Sequence, residues 1–170
     1  MTNKNLLIGI VSILLCVLGC GESQEHKEEI ANPSINLEQE KKAILATLNG
    51  ETAAAFQRDY EGWQDKWVHE PTITKTYINY ADNSFSESIG WDEISGFVKV
   101  FFQEHPEPEP VPSLVDDIKV RLYENGAWVT YEQQDALRGL KRETRLMEKV
   151  DGQWKIAGMH TTIYALTKQP

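Results

Sequence analysis

Four side-chain types in this chain could do chemistry at neutral pH: two well-placed histidines, a set of tyrosines, several strand acids and a basic cluster. His69 follows a tryptophan-rich segment and precedes Pro71. An imidazole there could act as a base or a donor near neutrality. It could equally cap the last carbonyls of a helix. No second catalytic group sits at a fixed spacing from it, so capping is the favoured role. His160 lies in the final strand-like stretch, followed by Thr161 and Thr162. It either hydrogen-bonds inside a pocket or serves the structure, and a bulge would decide which way it points. Tyr77, Tyr80, Tyr131 and Tyr164, with the acids Glu132, Asp135 and Glu143, supply phenols and carboxyls on strands. Arg138, Lys141, Arg142 and Arg145 could clamp an anion, but strand alternation separates Arg142 from Arg145, so a solvated face is the simpler account. Trp63, Trp67 and Trp91 could line an apolar site, although aromatics at helical spacing usually face a core.

Other chemistries find no support in the sequence. The histidines are His26, His69, His105 and His160, and no two stand at a ligand spacing, so no metal site is expected. There is no glycine-rich phosphate loop and no serine elbow, and no cofactor is expected. The formal net charge is −9 with no basic block, which argues against nucleic acid and against electrostatic docking on anionic lipid.

The elements that would position these groups follow from periodicity. Asn36 and Gln39 form a capping-box pattern ahead of Ile44, Leu45, Leu48, Ala55 and Phe56 at helical spacing. Gly50 weakens that helix and is expected to bend or end it. Phe56, Tyr60, Trp63 and Trp67 then fall on one helical face, and Pro71 stops the helix. Residues 72–78 read as a strand, with a turn at Asp82, Asn83 and Ser84. Gly90 opens a helix carrying Ile94, Phe97, Val98, Phe101 and Phe102, which must end by His105 because Pro106, Pro108, Pro110 and Pro112 follow. Those prolines make an extended surface connector. Residues 118–122 alternate cleanly. Asn125-Gly126 is a hairpin signal, residues 127–131 return, residues 142–150 form a third strand, and residues 153–164 form a fourth after the Asp151-Gly152 turn. Helices followed by an antiparallel meander mean an α+β domain.

The amino terminus carries a separate message. Lys4 precedes an apolar run over residues 6–18 that is too short to span a bilayer comfortably. It ends in Val17-Leu18-Gly19-Cys20, which resembles a bacterial lipobox. The expectation is a signal peptide over 1–19, a lipid on Cys20, a flexible acidic tether over 20–35 and a folded domain over 36–170. Lipid would be the sole membrane attachment, the address the cell envelope, and the outer membrane favoured over the inner because Gly21 replaces the aspartate that resembles a retention signal. With Cys16 in the leader and Cys20 taken by the lipid, the folded domain is expected to have no thiol chemistry.

The order helix, helix, strand, helix, four strands resembles nuclear transport factor 2-like domains of the SnoaL-like kind. The resemblance rests on Phe56 through His69, on Gly90-Trp91-Asp92-Glu93-Ile94, on Ala127-Trp128-Val129-Thr130, and on Asp151-Gly152-Gln153-Trp154-Lys155-Ile156 ending in His160-Thr161-Thr162. It covers roughly residues 36–165. It implies a cone-shaped fold in which a curved antiparallel sheet packs on about three helices around a pocket. It also implies a small, partly apolar ligand in the cone, with Trp67, His69, Tyr77, Trp91, Tyr131 and His160 as candidate binding residues. Alternatives within the family are a cofactor-independent isomerase, dehydratase or hydrolase and a dimerising module without catalysis. The carboxylate base and oxyanion donors of the isomerase-like members find no match here; near the expected position stand Asp65, His69 and Glu70. Binding is therefore favoured over catalysis.

Overall fold

The computed structural model describes residues 36–135 and 139–164. The expected signal peptide, Cys20, the tether and Arg138 lie outside the described residues. The remainder belongs to the unit Ile35–Pro170.

Helix α1 (Leu37–Gln57) starts where the capping pattern places it, with the Asn36 side chain accepting from the Gln39 N–H at 3.2 Å. It does not break at Gly50. Ile44, Leu48, Glu51 and Ala54 share a buried face on both sides of that glycine, and packing of this face outweighs about 1 kcal/mol of glycine propensity. The helix ends instead at Arg58, which adopts a left-handed conformation with φ 62°. Asp59 then caps a second short helix, α2 (Tyr60–Gln64), by accepting from the Gly62 N–H at 2.9 Å. The aromatic stripe therefore does not share one helix. Phe56 closes α1, Tyr60 and Trp63 ride on α2, and Trp67 lies beyond it in a bridge to Ile156.

Strand β1 (Thr74–Asn79) turns at Asp82, whose side chain accepts from the Ser84 N–H at 2.9 Å, into β2 (Ser84–Ile89). β2 is a strand that the sequence pattern does not announce. β2 is mostly exposed and serine-rich, an edge strand without an apolar face to betray it. Helix α3 (Trp91–Glu104) follows. Gly90 opens it with φ 83° and ψ 155°, a region essentially confined to glycine. A Cβ there would also stand 3.2 Å from the Pro71 carbonyl oxygen. Gly90→Ala is expected to destabilise the fold by about 2 kcal/mol, read from the midpoint of urea unfolding.

The carboxyl-terminal third forms β3 (Lys119–Leu122), β4 (Gly126–Asp135), β5 (Gly139–Val150) and β6 (Gln153–Ile163). The sheet order is β2-β1-β6-β5-β4-β3. β3 to β6 form the expected antiparallel meander, but β1 runs parallel to β6. The sheet is thus mixed rather than antiparallel, because the first hairpin docks beside the last strand of the meander. The result is a curved, unclosed sheet packed on helices, an α+β architecture. The core gathers Ile44 and Leu48 of α1, Trp63, Trp67, Ile94 and Val98 against Val129, Met147 and Ile156 of the sheet. The proline-rich connector is pinned to α1 by reciprocal hydrogen bonds between the Asn49 side chain and the Val115 backbone, both 3.0 Å, and by the Glu109 N–H donating to the Phe56 carbonyl at 2.9 Å.

A polar pocket in an aromatic wall

Three cross-strand rows on the inward face of the sheet build the site. Strand register places Lys75 of β1 beside Met159 of β6, and Met159 beside Arg145 of β5. One step along, Tyr77 neighbours Thr161, Thr161 neighbours Glu143, and Glu143 neighbours Tyr131 of β4. A third row joins Ile163 to Lys141. Alternation along β5 is strict where it matters. Glu143, Arg145 and Met147 are buried, whereas Arg142, Leu146 and Glu148 are exposed. The side chains of these rows face Glu51, Ala55 and Phe56 of α1 and Phe97, Phe101 and Phe102 of α3 across a pocket of about 300 Å³.

The floor of this pocket is ionic. Glu143 is 1% exposed and Arg145 is 3% exposed. Arg145 Nη2 stands 3.3 Å from one Glu143 oxygen, which also accepts from the Thr161 hydroxyl at 2.7 Å. Lys141 Nζ stands 3.3 Å from the other. Arg145 Nε and Nη1 have no hydrogen-bond partner among the described residues. A buried guanidinium with free donors is costly unless something accepts from them. Glu51, also buried, accepts from Trp63 Nε1 at 2.9 Å.

Lys75 is the least usual member. A lysine normally carries its ammonium to water, yet Lys75 is 9% exposed. Its Nζ lies 5.0 Å from the centre of the Phe97 ring and 5.4 Å from that of Tyr77, within cation–π range. Among the described residues it makes no ion pair. Burial pulls its amine down to about 8; Glu51 and Glu143 oppose that shift and Arg145 adds to it. Burial likewise pushes the Tyr131 hydroxyl up, against the pull of Arg145.

Charge counting gives the pocket a sign. Arg58 and Glu109 at its edge pair with each other. The described lining that remains holds Lys75, Lys141 and Arg145 against Glu51 and Glu143. One negative group would balance it.

The six residues singled out from sequence separate. Tyr77 lines the pocket. Tyr131 sits in the same row, 8% exposed, and borders a second, polar depression beneath the 113–117 connector. Trp67 is 1% exposed and belongs to the core. His69 donates from Nε2 to the Gln64 carbonyl at 3.0 Å, the capping geometry, and stacks on Trp91 with ring centres 3.8 Å apart. Trp91 stacks on Trp63 in turn. His160 is exposed, on the opposite face from Thr161. The cause is a bulge. Leu146 faces Gly158 and Met147 faces Ile156, so Ala157 is extra. Before it Trp154 and Ile156 point inward; after it Met159, Thr161 and Ile163 do.

Glu51 and Lys75 are not among the residues expected at a site from sequence, and Arg145 is buried where a solvated face is expected. The signals were present. Glu51 interrupts an apolar helical stripe, and Lys75 shares strand parity with Ile73 and Tyr77. Arg145 and Glu143 share parity with Met147. Arg142, by contrast, is exposed and pairs with Glu132 at 2.9 Å, as a solvated face requires. Among the described residues no group of three His, Cys, Asp or Glu side chains could hold a metal ion.

No family model and no curated protein matches the chain. Solved structures do resemble it. A nuclear transport factor 2-like (NTF2-like) protein of unknown function from Shewanella oneidensis superposes with a TM-score of 0.53 at 19% identity, covering 72% of this chain and 98% of its own. A cystatin-like fold protein from Burkholderia xenovorans gives 0.57 at 19% identity, covering 79% and 97%. An NTF2-like protein of unknown function from Pseudomonas putida gives 0.56 at 15% identity, covering 78% and 97%. At these identities the likeness establishes the NTF2-like fold and leaves the chemistry to the site.

Proposed function

We propose that the pocket binds one small, partly apolar molecule carrying an acidic group, and that the chain does so at the cell envelope, attached through a lipid on Cys20. The observation that supports binding is Arg145. Among the described residues, Nε and Nη1 of its buried guanidinium have no hydrogen-bond partner, beside an aromatic wall and in a described lining with one cation in excess. A carboxylate would accept charge-assisted hydrogen bonds from it, while the body of the ligand packs on Phe56, Phe97 and Phe101. Titration with 2-naphthoate, followed by tryptophan fluorescence because Trp63 lines the pocket, is the direct test. The expected result is saturation at one equivalent and a loss of roughly 10–100-fold in affinity for Arg145→Met, the value of a hydrogen bond to a charged group. Equal binding by the variant would refute the assignment. For the anchor, the Val17-Leu18-Gly19-Cys20 motif supports lipidation. Labelled palmitate should enter the chain and be lost in Cys20→Ala.

A second reading is self-association through the outer face of the sheet. Trp128 and Leu146 are paired neighbours there, 50% and 42% exposed. Paired exposed apolar side chains of this size suit an interface. Sedimentation of the wild type and of Trp128→Glu should then differ, with the variant shifted to monomer.

A further inference from the structure

We propose that Lys75 is a carbonyl-trapping amine, condensing with the aldehyde or ketone group of a molecule seated in the pocket to form a reversible imine. The proposal rests on the reading of the pocket as a ligand site. A lysine kept in an interior for structural reasons is normally paired with a carboxylate. Lys75 has no such partner among the described residues; it lies against the Phe97 and Tyr77 rings on the wall of a pocket. The charged and titratable groups that line the pocket with it are Glu51 of α1, Arg58 just beyond that helix, Glu109 of the connector, Tyr77 of its own strand, and Lys141, Glu143 and Arg145 of β5. In that setting the amine sits at about 8, so its neutral, nucleophilic form is accessible just above neutrality, as in other desolvated lysines that attack carbonyls.

The step balances without a redox partner. The neutral amine nitrogen bonds to the carbonyl carbon, and the carbonyl π electrons move to oxygen, which takes up a proton. The nitrogen loses a proton, the C–O bond breaks, and water leaves. Amine and carbonyl thus give imine and water. Glu51, a buried carboxylate that lines the same pocket, favours the protonated amine between condensations. Register gives the ligand its dimensions. Lys75 and Arg145 flank Met159 on one row, about 10 Å apart at the backbone, so a ligand with an acid at one end and a carbonyl toward the other would span both. The class is an aromatic or alicyclic aldehyde or ketone, preferably an oxo-acid.

The test uses the full chain, 2-naphthaldehyde and sodium cyanoborohydride, with peptide mass mapping. One reduced naphthylmethyl adduct is expected, on Lys75, forming at least about ten-fold faster than on any surface lysine, with half-maximal rate near pH 8. Lys75→Arg should lose it. Labelling spread over surface lysines with Lys75 unmodified would overturn the proposal on the wild type alone, whatever the variant does. Binding of 2-naphthalenemethanol, which cannot condense, reads the pocket separately. Alcohol binding without a Lys75 adduct overturns the imine and keeps the pocket. Absence of both alcohol and naphthoate binding overturns the pocket reading as well.

Discussion

Glu143→Leu is expected to lower the unfolding free energy by about 3–5 kcal/mol, the cost of breaking a buried ion pair from one side. Three groups depend on this carboxylate. Arg145 loses its only ion pair among the described residues, Lys141 loses its own, and the Thr161 hydroxyl loses its acceptor. Arg145 cannot shed its proton to escape the penalty. The double change Glu143→Leu with Arg145→Leu should recover most of the loss, since an apolar replacement of a whole buried pair is often neutral or better. Urea unfolding of the two variants checks both halves. A loss under about 1 kcal/mol for the single change, the range of an exposed pair, would mean that the cluster is open to water.

Lys75→Met should act in the opposite direction. The folded amine lies at about 8, below its ordinary value of 10.5. Below pH 8 the folded state holds a proton on a buried amine, and the full cost, on the order of 3 kcal/mol, is present. Between pH 8 and 10.5 the unfolded chain binds a proton that the folded chain lacks, so stability rises with pH. Above 10.5 neither state is protonated and the cost is gone. The variant should therefore be more stable than wild type by on the order of 2–3 kcal/mol at pH 7, with the advantage vanishing above pH 10.5. A pH-independent difference would show that Lys75 is hydrated.

Much of the scaffold was legible. The Asn36 cap, the Gly90 opening of α3, the Asp151-Gly152 turn with both residues at positive φ and the strands of the meander follow from local rules that tertiary structure did not override; between β3 and β4 the chain turns at Glu124-Asn125 instead of Asn125-Gly126, with Gly126 already in β4. Three features were not. Continuation of α1 through Gly50 depends on a buried face that propensity does not count. β2 has no apolar periodicity because it is a solvated edge. The parallel pairing of β1 with β6 joins residues more than eighty positions apart, and no local signal reports it. The site was legible in part. The alternation that separated Arg142 from Arg145 was sound, but which parity faces inward was fixed by Met147 and by the helices across from it. The bulge at Ala157 turned His160 outward and Thr161 inward. Ionic residues on an inward parity read as solvated because the cost of burying them argues against it, and that same cost makes Arg145 and Lys75 informative once their burial is seen.

Native mass spectrometry of the full chain, purified in detergent from the cell that makes it, reads the occupancy of the pocket without a chosen probe. A small molecule should be bound at one equivalent to the wild type, acidic in its fragmentation, and lost from Arg145→Met while that variant still unfolds cooperatively. A wild-type spectrum without bound mass, or a ligand retained equally by the folded variant, would contradict the proposed binding.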